Sequence, residues 1–124
     1  MNNQAQQVYL RTQATTASPG DLTLMLYNGC IKFMKQALEA IQENNYQEKN
    51  TNIKKAQDII DELLITLNHG YPISKNLAAL YTYIKEQLQQ ANLKLHVESL
   101  STAIELVTEL RDTWVEALKL VKKR

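Results

Sequence analysis

Residues 53–67 read IKKAQDIIDELLITL. Ile53, Ala56, Ile60, Leu63, Leu64 and Leu67 recur at three and four positions, which is one face of an α-helix. Asp58, Asp61 and Glu62 fall on the other side as a solvated acidic face. The spacing predicts a helix over about 46–68. Asn68-His69-Gly70 ends it, with Gly70 suited to a left-handed position after a helix and Pro72 marking the break. Downstream, Ser74 is placed to cap a helix over about 75–92, with a stripe at Leu77, Leu80, Tyr81, Ile84, Leu88 and Ala91. A last helix over about 96–122 carries Val97, Leu100, Ile104, Val107, Trp114, Leu118 and Val121. Upstream, Asn44-Asn45 separates the 53–67 helix from one over about 19–43. Ser18 caps that helix, Pro19 fits its first turn, and Asp21 faces its dipole. No stretch alternates with period two, so no sheet is expected. Four helices joined by short connections predict an all-α fold, an antiparallel up-down-up-down four-helix bundle over 18–124. Residues 1–17 stand apart as a loosely attached, polar N-terminal segment with one apolar knot, Val8-Tyr9-Leu10.

The chain's 124 residues make one domain. At this size folding buries roughly 65–70% of the surface the unfolded chain exposes, so neither metal nor disulfide is required. A net charge of +1 supplies no field to attract nucleic acid or an anionic membrane. Lys119, Lys122, Lys123 and Arg124 read as partners of the last helix's dipole. The single cysteine, Cys30, forms no internal disulfide and fits a reducing compartment. The N-terminus has no secretion-signal pattern, and no apolar run approaches a membrane span. These features point to a cytoplasmic protein.

Two helices are more apolar than a bundle needs. The first carries one set at Leu22, Leu26, Cys30, Phe33 and Ala37, and a second at Leu24, Tyr27, Ile31, Met34 and Leu38. The last adds Ala103, Leu106, Leu110, Ala117 and Leu120 beside its main stripe. Each arc spans roughly 200°, about twice a minimal core-facing stripe. Either these two helices are simply more central in an irregular bundle, or the surplus needs a cover: the Val8-Tyr9-Leu10 segment, a second copy of the chain, or another protein. In an up-down bundle the first and last helices are neighbours, so their surplus stripes predict a shared partner groove. Its candidate residues are Leu24, Tyr27, Ile31, Leu106 and Leu110, with Val8, Tyr9 and Leu10 occupying part of it when the partner is absent.

The residues of enzyme chemistry do not cluster. Neither His69 nor His96 follows a Glu at the three-residue spacing of bundle metal sites. No Cys-x-x-Cys and no phosphate-cradling Gly-rich loop is present. No catalytic residue, metal or cofactor is expected. Cys30 lies on an apolar stripe as a small hydrophobe. Gly29 inside the first helix costs about 1 kcal/mol relative to Ala, tolerable where another backbone approaches closely. Arg111 interrupts the last helix's stripe and is expected to pair with a carboxylate on an adjacent helix.

The run Thr16-Ala17-Ser18-Pro19-Gly20-Asp21-Leu22-Thr23-Leu24-Met25-Leu26-Tyr27-Asn28-Gly29 resembles the first-helix signature of the flagellin-specific export chaperones, the FliS family. Tyr9, Ala91-Asn92 and Arg111-Asp112-Thr113-Trp114 also match, so the resemblance covers essentially the whole chain. It implies a bacterial cytoplasmic bundle that binds the C-terminal helical region of flagellin and prevents polymerisation before export. It also implies an N-terminal segment that caps the free chaperone, and the flagellar export apparatus as a further partner. The free form is expected to be a monomer without membrane insertion; the rival reading is a structural homodimer whose surplus stripes pair with each other.

Overall fold

In the computed structural model, which describes residues 18–70 and 72–122, Ser18 opens the first helix as read from the sequence. Its Oγ accepts from the Asp21 backbone N–H at 3.2 Å and donates to Asp21 Oδ2 at 2.9 Å. The helix α1 runs Pro19–Gln42. Asn44 then takes a left-handed φ of 58°, the conformation Asn adopts more readily than most residues. Asn45 caps α2 (Tyr46–Thr66) by accepting from the Glu48 N–H at 3.2 Å.

The next connection differs from its sequence reading in two ways. Gly70 is not left-handed; Asn68 makes the turn instead, its Oδ1 accepting the Gly70 N–H at 2.9 Å. Ser74 does not cap α3 (Ser74–Lys94) but is its first helical and already buried residue, while Ile73 holds the capping position without a side-chain hydrogen bond. The helix α4 spans Val97–Lys122. His96 starts it, its carbonyl accepting from the Ser99 and Leu100 N–H groups and its Nδ1 lying 2.5 Å from Ser99 Oγ.

Each helix packs on its neighbours in ring order, α1 on α2, α2 on α3, α3 on α4 and α4 back on α1. This is the up-down-up-down four-helix bundle, with no strand among the described residues. The core is the line Tyr27, Cys30, Ile31, Met34 and Ala37 of α1 set against Ile53, Ala56, Ile60 and Leu63 of α2. Tyr81, Ile84, Leu88 and Ala91 of α3 and Leu100, Ala103 and Val107 of α4 complete it. On α1 the core therefore draws from both sequence-read sets, because α1 faces both α2 and α4. Phe33, placed on the core stripe, lies half-buried at the edge, with Lys32 and Lys55 Nζ 5.7 and 5.2 Å from its ring centre. Gly29 meets Ile59 Cδ1, 3.3 Å from where a Cβ would stand, so a side chain rather than a backbone closes on it. No described helix is long and apolar enough to cross a membrane.

Candidate partner-binding site

The topology gathers the start of α1, the end of α2, the start of α3 and the end of α4 at one end of the bundle. Trp114 Nε1 donates to the Gly20 carbonyl at 2.8 Å and ties α4 to the first turn of α1. A Cβ on Gly20 would stand 2.7 Å from Leu118 Cδ2, so the approach of these helices leaves no room for one unless Leu118 moves.

Beside this junction a depression of about 440 Å³ opens between α3 and α4. Leu77 and Leu80 form one wall; Leu106, Leu110, Thr113 and Ala117 form the other. A second depression of about 410 Å³ continues toward α1 and α2, reaching Thr23, Leu63, Thr66, Leu67 and Ser74. Tyr27, Ile73, Leu77 and Trp114 line both, which makes them one continuous surface. Ile73 is 60% exposed at its rim.

At the inner edge, Tyr27 and Tyr81 are buried with their hydroxyl oxygens 2.5 Å apart. Burial raises the pKa of Tyr27, against a smaller lowering by its hydrogen bond to Tyr81. Burial also raises that of Tyr81, and the neighbouring Tyr27 raises it further. Both stay neutral at physiological pH. Glu109 is the one charged residue among those lining the surface. Apolar walls with neutral hydroxyls suit the burial of apolar side chains carried on a partner helix.

The sequence-read site is redistributed. Leu106 and Leu110 are half-buried on the α4 wall of the depression. Their wall faces α3, so this depression lies between α3 and α4. Tyr27 borders the depression but is a core residue, 3% exposed. Ile31 is 5% exposed, belongs to the core, and lines neither depression. The surplus arc of α1 is consumed by packing on two neighbours, leaving Ile31 no outward face. Leu24 is half-buried and lines neither depression. Val8, Tyr9 and Leu10 lie outside the described residues.

Trp114, read as a core residue, sits half-buried at the core's edge and faces the depressions. Arg111 does not reach a carboxylate on another helix. Its Nε donates to Asp112 on its own helix at 2.9 Å, and its cross-helix bond runs to the amide oxygen of Asn28 at 3.2 Å. Sequence reading missed Ile73 as a site residue. Its signal was an isoleucine between Pro72 and Ser74, in a connection and outside every helical stripe.

Residues 1–121 match the family model described as flagellar protein FliS. The chain is 43% identical over 115 residues to the flagellar secretion chaperone FliS of Bacillus subtilis (strain 168), covering 93% of this chain and 86% of that protein. It is 31% identical over 115 residues to the flagellar secretion chaperone FliS of Escherichia coli (strain K12), covering 90% and 85%. A crystal structure described as a flagellar chaperone from bacteria superposes with a TM-score of 0.77 at 24% identity, over 94% of this chain and 96% of that one, and shares the fold.

Proposed function

The chain belongs to the FliS family of flagellar proteins, and from that premise we propose that it is a cytoplasmic export chaperone for flagellin. It binds flagellin's C-terminal helical region and keeps it from polymerising before secretion. The observation that carries this reading is the open apolar surface between α3 and α4, lined by Leu77, Leu80, Leu106 and Leu110. A client helix with apolar residues three and four apart fills such a surface, and burying them offsets the freedom an unfolded tail loses. No covalent step and no cofactor is needed.

In this reading Val8, Tyr9 and Leu10 cover the surface in the free protein. The start of α1 borders the depression through the Gly20–Trp114 contact. The free chaperone is then a monomer, and the client displaces the segment. Calorimetric titration with a flagellin C-terminal peptide tests both statements. The parent binds at one-to-one stoichiometry, Leu106→Lys weakens binding by at least about tenfold, and deletion of residues 1–12 alters the affinity. Unchanged binding by Leu106→Lys places the client elsewhere. Sedimentation of the free chain as a stable dimer favours the structural homodimer instead.

A further inference from the structure

We propose that the depression at the start of α3 seats the C-terminal end of the client helix, with Ser74 and the uncapped first turn of α3 holding its terminal carboxylate. This inference deepens the client reading above and rests on it. It sets the direction in which the client lies. The last client residue sits in the depression that reaches α1 and α2, and the preceding turns run along the apolar seam between α3 and α4.

The polar groups of the depression carry the argument. Ser74 lines it at 5% exposure, and its Oγ has no hydrogen-bond partner among the described residues. Folding gains nothing from a buried hydroxyl left unpaired, whereas a bound acceptor recovers its hydrogen bond. Other donors there are committed. Thr23 donates to the Pro19 carbonyl, Thr66 to the Glu62 carbonyl and Trp114 to the Gly20 carbonyl. The Tyr27–Tyr81 contact uses one of two hydroxyl protons, and the second has no acceptor among the described residues. Asn68 uses its oxygen on the Gly70 N–H, which leaves its amide to donate. The groups left over can all donate, so the fitting occupant is an acceptor.

The start of α3 adds the sign. No side chain caps its first-turn N–H groups, and that turn holds no acidic residue but does hold exposed Lys75. The positive end of the helix dipole favours an anion there. No charged residue lines this depression, so no carboxylate of its own wall opposes one. A client helix that ends its chain presents the complementary group. Its last four carbonyls have no partner within the helix, and the terminal carboxylate follows them. Leu63, Leu67 and Leu77 beside the donors take the apolar side chains of its last turn.

The test is calorimetric titration of the full chain with a flagellin C-terminal peptide, once as the free acid and once as the C-terminal amide. The free acid should bind about tenfold more tightly. Ser74→Ala should bring the two peptides within about threefold of each other, chiefly by weakening the acid. It should melt no lower than the parent, because the hydroxyl it removes has no partner in the free protein. Ser74→Asp puts a carboxylate at the helix N-terminus and should weaken the acid more than the amide. A Ser74 that only fills space would move both peptides alike, which overturns the proposal. Equal binding of the two peptides by the parent also overturns it; if Leu106→Lys still weakens both, the client surface itself stands. If neither peptide binds, the client reading fails and the proposal with it. If amidation is without effect but converting the peptide's acidic side chains to amides weakens binding, the carboxylate comes from a side chain and the terminal assignment is overturned.

Discussion

Trp114 shows how one side chain serves both the fold and the proposed binding surface. Its ring packs on the core, its N–H holds the Gly20 carbonyl, and its outer edge lines the depressions. Trp114→Phe retains the apolar contact and loses the hydrogen bond, so denaturant unfolding should show a loss of about 1 kcal/mol. Trp114→Ala should cost about 3 kcal/mol and weaken the client peptide as well. A parent-like melt for Trp114→Ala would remove it from the packing scheme. Gly20 belongs to the same junction. Gly20→Ala drives a methyl toward Leu118, which must swing away, and the expected outcome is a small loss of stability although Ala is the better helix former. A gain would mean that Leu118 yields freely.

At the scale of the helix, burial separates residues that the sequence grouped together. Ile31 and Leu106 both lay on surplus stripes, yet one is in the core and the other on a groove wall. Ile31→Lys should abolish cooperative unfolding, because a buried unpaired charge costs several kcal/mol. Leu106→Lys, with its partly exposed side chain, should melt within about 1–2 kcal/mol of the parent and fail in peptide binding. Circular dichroism melts on both variants check this, and similar melts would refute the division. Lys49 joins two helices in the same sense. Lys49→Met keeps the stem and leaves the carbonyl of Asn92, at the end of α3, without its cation, at a cost of about 2 kcal/mol by denaturant titration.

For the whole molecule, three buried acids govern its response to alkali. Burial pushes the Cys30 thiol up from 9.0 to about 12 and raises Tyr27 and Tyr81 above their ordinary value of 10.0. The unfolded chain loses these protons first. The contribution of Cys30 is therefore fully present below pH 9 and is lost as pH rises toward 12, so stability falls with alkali. Cys30→Ala lowers stability by a constant amount at neutral pH and should flatten the decline between pH 9 and 11. Parallel curves for parent and variant, followed by urea unfolding, would show that Cys30 keeps an ordinary pKa.

Local chemistry was enough to read four helices, their order and most of the core. Ile53, Ala56, Ile60 and Leu63 are buried on one face because a 3.6-residue period aligns them whatever they pack against. Ser18 and Asn45 cap because their oxygens reach N–H groups three residues on. The family was legible too, in the run from Thr16 to Gly29. Tertiary structure decided which apolar residues remain outside. A helical wheel gives the width of an arc but not how many neighbours consume it. Two neighbours take the arc of α1, burying Tyr27 and Ile31, while α4 keeps Leu106 and Leu110 at an open seam with α3. Ile73 joined the site through the course of a turn, and Arg111 found Asn28 across 83 positions of chain. Such pairings depend on helix separation and rotation, quantities set by the packing of all four helices together and written in no single stretch of the sequence.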